Sequence, residues 1–342
     1  MTDPTLVALA VFALLVGLSA YAVFAGADFG GGVWDLLASG PRKQEQRSAI
    51  ARAIGPVWEV NHVWIIFVIV VFFTAFPPAF AALSIGLFGP LSLILLGIIL
   101  RGASFVFRAY AEDQPRLQRW FGVAFSVSSL VTPFALGASA GAIAEGALKP
   151  DGRGGWFPIS WSEFFQPFPI LAGLLAVSIC AYLAATFLTA ETDGVLREDF
   201  RRRALVAGGG VALFGALGLP LSTRFAPEIS YELLSGRALP LVVLGGLFGI
   251  AGFVVTLTGA YRVARPVAVA FVLVILWGWG AAQWPYVVTP YLTFQQAASS
   301  DAMLIVFLST LAAGAVILLP ALYILFRVFK GKHPEAGSHS AD

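Results

Sequence analysis

Nine times along its 342 residues this chain runs for about twenty residues with scarcely a charge, and that recurrence constrains the fold more than any single motif does. A helix rising 1.5 Å per residue needs roughly that length to cross the hydrocarbon of a bilayer. The stretches fall at 5–35, 53–76, 79–107, 120–145, 166–190, 204–222, 238–260, 266–286 and 302–327. Between them, Pro, Gly and charge cluster, as in "SGPRKQEQR", "FPPAF", "AEDQPRLQR", "KPDGRGG", "ETDGVLREDFRRR" and "YRVARP". The sequence predicts an all-α, polytopic membrane protein. Composition agrees, with 58% hydrophobic and 12% charged residues against roughly 25% charged in soluble domains. The first stretch resembles a secretory signal, but its leader Thr2-Asp3-Pro4 is not basic, and it reads as a retained span.

Counting Lys and Arg on alternate sides tests this arrangement independently. Sixteen lie in the loops after spans one, three, five and seven and in the C-terminal tail, four lie opposite, and Arg101 is left inside a span. By the positive-inside rule the N-terminus is expected outside and the C-terminus in the cytoplasm. "LSAYAVFAGADFGGG" in span one and "ICAYLAATFLTAETDG" in span five share an Ala-Tyr and a later Asp or Asp-Gly. That echo suggests repeated four-helix units, and the expected division is 1–146, a first unit with a buried polar cluster, 147–329, five further spans, and 330–342, a cytoplasmic tail.

Polar groups inside a span are costly unless they face one another. "GPVWEVNHVWIIFVIVV", residues 55–71, carries Trp58, Glu59, Asn61 and His62 at its head. With Asp35, Arg52 and Arg108 taken as boundary markers, Asp28, Glu59 and Arg101 each lie seven residues inward, about 10 Å deep. Ser126, Ser128 and Ser129 of span four are expected at a similar level. Gly26 and Gly30 around Asp28 form a G-x-x-x-G spacing that admits a close neighbour. Two roles fit the cluster and do not exclude each other. Asp28, Glu59, His62 and Arg101 fix helix register, or Asp28 and Glu59 line a hydrated proton route with Arg101 as electrostatic anchor.

Several chemistries are excluded by what is missing. One cysteine, Cys180, rules out a disulfide framework or a C-x-x-C-H haem attachment, and the other histidines, His333 and His339, lie in the tail, so no bis-histidine haem can be ligated within these spans. There is no phosphate-binding lysine loop, nucleophile elbow or metal-ligand spacing, and nothing suggests a nucleic-acid surface. "WGWGAAQWPYVVTPYLT", residues 277–293, reads chiefly as an aromatic belt at the outer interface.

Taken in order, "GADFGGGVWDLL", "GPVWEVNHVWIIFVIVVFFTAFP", "LRGASFVFR" and "WPYVVTPYLT" resemble subunit II of the cytochrome bd-type quinol oxidases over the whole chain. The resemblance implies nine spans as two four-helix bundles plus one helix, in a cell-membrane complex with a haem-bearing subunit I. It implies that haem b and haem d reside in that partner, that the complex takes electrons from quinol and reduces O2 to water, and that this subunit is not catalytic alone. A structural quinone in this chain is also implied, as is a proton route whose acids fall on Asp28 and Glu59. Some relatives carry a further acid where this chain has Ala25, and Asp and Gln where it has Glu59 and His62. Outside the family, a proton-coupled secondary transporter and a purely structural scaffold are the alternatives that would also bury these groups.

Overall fold

The computed structural model describes residues 2–111 and 113–330, without the side chains of residues 54–60, 109, 319, 322–323 and 325–330. The side chains of Trp58 and Glu59, and the tail with His333 and His339, therefore lie outside the described residues. In chain order the helices are α1 (Pro4–Leu36), α2 (Lys43–Ala75), α3 (Pro77–Gly86), α4 (Phe88–Tyr110), α5 (Pro115–Glu145), α6 (Trp161–Phe164) and α7 (Pro167–Glu191). There follow α8 (Gly194–Phe225), α9 (Pro227–Leu234), α10 (Leu239–Thr258) and α11 (Tyr261–Gln283). A short hairpin of β1 (Tyr286–Val288) and β2 (Leu292–Thr293) leads to α12 (Phe294–Ala297) and α13 (Asp301–Lys330).

Among the described residues, eight helices are long and apolar enough to cross a membrane, and a ninth span arises if the bent pair Asn61–Ala75 and Pro77–Gly86 counts as one. This differs from the expected third span at 79–107. The chain turns by 120° between those two segments and does not enter α4 until Phe88. The cause is local: Pro77 has no N–H to continue α2, and it forces Phe76 out of helical geometry, to φ −135° and ψ 59°. Ala226, before Pro227, takes almost the same turn at φ −137° and ψ 63° and separates α8 from α9. Capping boxes add to the correspondence, with Ser160 and Glu163 opening α6 before α7, and Thr293 and Gln296 opening α12 before α13. Thus long helix, long helix with a proline break, short helix, and two further helices recur in the same order, with α13 appended. The short, glycine-rich stretch 204–222 belongs to a helix of 32 residues.

α1 and α7 occupy the centre. α1 packs on α2, α5, α7 and α11, and α7 on α1, α5, α8 and α11. Gly30 brings them together, since a Cβ there would lie 1.9 Å from the Cys180 carbonyl oxygen. Trp34 Nε1 then donates to the Ala181 carbonyl at 2.8 Å. α13 stands apart, with only 6% of its span buried. Its start is tied to the bundle by Asp301 Oδ1, which accepts from Asp3 N at 2.8 Å, and by Ser299 N, which donates to the Ala75 carbonyl at 2.8 Å.

Helix alternation gathers the arginine-rich connections at one end of the bundle, where several arginines also cap helices. Arg197 Nε donates to the carbonyls of Thr189 and Thr192 at the end of α7, at 3.0 and 2.7 Å. Arg201 does the same for Thr256 and Leu257 of α10, at 3.0 and 3.1 Å. Orphan carbonyls and the negative end of the helix dipole both favour a cation there. At the opposite end the tryptophans expected to form a belt are partly internal. Trp277 Nε1 donates to Ser19 Oγ at 2.9 Å, and Trp284 stacks on Phe294 with centroids 5.9 Å apart.

Candidate functional site

Four helices of the first half converge on one buried ion pair. Asp28 of α1 and Arg101 of α4 are 1% and 3% exposed, and the Arg101 Nη2 donates to the Asp28 carboxylate. The other carboxylate oxygen accepts from Asn61 Nδ2 of α2 at 2.5 Å. Arg101 Nη2 also reaches the Asp28 carbonyl at 3.2 Å, and its Nε donates to Ser129 Oγ of α5 at 3.0 Å. Ser129 passes its own hydrogen to the Phe125 carbonyl at 2.6 Å. The guanidinium lies against the rings of Phe29 and Phe125, 5.1 and 4.9 Å from their centroids. Desolvating two such charges is repaid only when hydrogen bonds satisfy them, and here four helices supply those bonds. Glycine makes the approach possible, because a Cβ at Gly32 would lie 2.1 Å from Ser129 Oγ and one at Gly97 2.2 Å from Thr132 Oγ1.

A second layer repeats the first nearer the arginine-rich end. Asp35, 2% exposed, accepts from Arg108 Nη1 and from Ser126 Oγ, each at 3.1 Å, and Arg47 Nε lies 3.7 Å from its other oxygen. α1 and α4 run in the same direction, so equal steps of seven residues, 28 to 35 and 101 to 108, carry acid and arginine together. α5 runs the other way, and its serine steps back from 129 to 126. The layers are about 10 Å apart. Asp35 and Arg108, read from sequence as boundary markers, are thus partners. Ser126, expected at the depth of Asp28, bonds Asp35, while Ser129 takes the place beside Arg101. The recurring acid, arginine and serine spacing is the signal that would have found this layer.

Because Arg47 and Arg108 stay partly exposed, the second layer is the weaker. Asp35→Asn is expected to lower the stability of the purified complex by about 1–2 kcal/mol in thermal unfolding, since it weakens charge-assisted bonds without burying a lone charge. No measurable change would mean that the arginines are held by solvent instead.

Two cavities flank the first layer. One of about 10 Å³ is lined by Tyr21, Phe29, Asn61, His62, Ile65, Ile98 and Arg101. The other, of about 50 Å³, lies between α1, α2 and α7, with Asp28 among walls of Ala27, Gly31, Ile50, Ala53, Ala184, Phe187 and Leu188. Of the residues selected from sequence, Asp28, Asn61, His62 and Arg101 therefore gather at one place. Ser126 belongs to the neighbouring layer. Trp58 and Glu59 lie on α2 three and two residues before Asn61, their side chains outside the described set.

Known proteins share this framework. The solved "structure of bd oxidase from Geobacillus thermodenitrificans" superposes with a TM-score of 0.79 over 96% of this chain and 100% of that one, at 23% identity, which shows a common fold. The "Putative cytochrome bd menaquinol oxidase subunit II" of Bacillus subtilis (strain 168) is 24% identical over 323 residues, 90% of this chain and 91% of that protein. The "Cytochrome bd-I ubiquinol oxidase subunit 2" of Escherichia coli (strain K12) is 30% identical over 200 residues, 57% of this chain and 52% of that one. The family model for cytochrome bd terminal oxidase subunit II matches residues 6–329, nearly the whole chain, and with the shared fold it establishes that this protein belongs to that family.

Proposed function

We propose that this chain, as subunit II of a bd-type quinol oxidase, conducts protons toward the oxygen-reducing site of a haem-bearing subunit I and holds that partner in place. The observation that carries the reading is the Asp28 cluster, an ionised layer in the bundle interior with a cavity on either side. Reduction of O2 to water consumes protons, and buried acids are how membrane proteins lead them inward. In this reading haem b and haem d, the quinol and the O2 all belong to the partner's chemistry, this chain can hold a structural quinone, and the unit 1–146 carries the route. The arginine-rich end faces the cytoplasm and the N-terminus faces outside, by the charge asymmetry of the connections. Protons drawn from the cytoplasm and quinol protons released outside make the complex electrogenic.

A second reading is favoured by the completeness of the ion pair. Arg101 is bound on three sides, which suits a permanent register pin as well as a proton route. One experiment separates the two. In the co-expressed two-subunit complex, Asp28→Asn and Glu59→Gln are expected to lower quinol-driven oxygen uptake roughly tenfold or more, with haem content retained, as disabling a proton route does. Uptake within twofold of the unaltered complex would leave both acids as helix pins, and loss of the partner on purification would make assembly their first task.

A further inference from the structure

The two cavities beside Asp28 differ in what they can hold. An internal site needs about 10–15 Å³ and two to four polar partners to keep a water molecule, whereas a larger cavity with carbon walls stays dry. The cavity between α1, α2 and α4 has about 10 Å³ and, among the described residues, four polar side chains in its wall, those of Tyr21, Asn61, His62 and Arg101. Among the described residues, the 50 Å³ cavity against α7 has one polar side chain, Asp28, among methyls, methylenes and the Phe187 ring. Room without partners favours no water there.

Both oxygens of the carboxylate already hold a partner. One oxygen of Asp28 accepts from Arg101 and the other from Asn61, and neither Asp28 nor its carbonyl is part of the polar cavity's wall. A group committed in this way is a fixed counter-charge. An imidazole can accept a proton at one ring nitrogen and give one up from the other. His62 supplies one in the wall of the cavity that fits a water.

We infer that the cavity between α1, α2 and α4 binds a single water, and that His62 and this water carry the proton at this depth while Asp28 stays fixed as their counter-anion. The inference rests on the proton-route reading and names the group that moves the proton within it. The imidazole nitrogen takes a proton from the water as the water takes one from the preceding donor, so no charge is stranded on the water and no electron moves. Protons then reach the cluster along α2, on which Glu59 also lies, and not along the dry seam between α1 and α7. Among the described residues, the charged or titratable groups set around the imidazole are Asp28 and Tyr21 of α1 and Arg101 of α4.

The test uses the two-subunit complex. A cryo-electron microscopy map sharp enough to show ordered water is expected to place one peak within hydrogen-bond reach of His62 and of Asn61 or Tyr21, and no peak there overturns the water. His62→Gln keeps a hydrogen-bonding side chain but cannot carry a proton. It is expected to lower quinol-driven oxygen uptake roughly tenfold, with unchanged haem content and a larger rate ratio between H2O and D2O. Uptake within twofold, while Asp28→Asn is slow, overturns the role of His62 and leaves the proton route standing. If neither His62→Gln, Asp28→Asn nor Glu59→Gln slows uptake, the route itself falls. Should His62→Gln lose haem, Ile65→Phe, which fills the cavity and removes no polar group, carries the test. The same slowing supports the inference, and an unaltered rate overturns it.

Discussion

Replacing Arg101 by leucine is expected to destabilise the complex by about 3–5 kcal/mol, the usual result of removing one member of a buried ion pair. The size follows from what is left behind. Among the described residues, Asp28, 1% exposed, would keep only Asn61 as a donor from outside its own helix, and Ser129 would lose the Nε–H it accepts. Arg101→Lys keeps the charge but not the fork that reaches the carboxylate, the Asp28 carbonyl and Ser129 together, so it is expected to lose a substantial part of the same stability. The double variant Asp28→Asn with Arg101→Gln buries no lone charge and should be milder than Arg101→Leu alone. Thermal unfolding of the detergent-purified complex, with partner recovery as a second readout, checks the order. A leucine variant as stable as the parent would show that the pair contributes nothing net to the bundle.

The second large effect concerns the seam between α1 and α7. A methyl group at Gly30 would sit 1.9 Å from the Cys180 carbonyl oxygen, 2.4 Å from its carbon and 2.8 Å from Ala184 Cβ. Two of those three atoms are backbone, so no rotamer change relieves the clash, and the helices must separate. Separation also stretches the bond from Trp34 Nε1 to the Ala181 carbonyl. Gly30→Ala is expected to cost about 3 kcal/mol or more, the upper end for overpacking. Gly26→Ala is the control, because its Cβ would meet the tip of Leu183 at 3.0 Å, and a leucine end can turn aside. Its cost should stay below about 1 kcal/mol. Both glycines belong to one G-x-x-x-G, and equal melting temperatures for the two variants would refute this geometry of contact.

Much of the architecture was legible because lipid imposes a simple length rule. The apolar runs correspond to the long helices, and the spacing of Asp28 and Arg101 from Asp35 and Arg108 anticipates that the members of each pair share a depth. Other features were hidden for identifiable reasons. The bend at Phe76 reads as an ordinary span boundary, because Pro77 and Pro78 announce a break without saying how far the chain turns. Asp35 looked like a water-facing marker because a carboxylate at a helix end is spelled the same way whether or not arginines close over it. Ser126 and Ser129 are three apart on one face, and only the direction and offset of α5 decide which meets Arg101. Trp277 near a membrane boundary fits a belt by composition, yet Ser19 and Phe12 draw it inward. Arginines counted for orientation turned out to close helix ends, a use that depends on which carbonyl lies within reach.

The paired layers on α1 and α4 have a mechanical consequence. A single pin between two rods stops them sliding but leaves them free to pivot about the pin. Two pins about 10 Å apart remove the pivot as well, so that tilting α4 on α1 must strain one of them. The inner pin is shut away from bulk solvent, while the outer one, with Arg47 and Arg108 partly in reach of it, can yield first. A tilt of α4 on α1 is therefore expected to open first at the arginine-rich end, with the layer around Asp28 as its fulcrum.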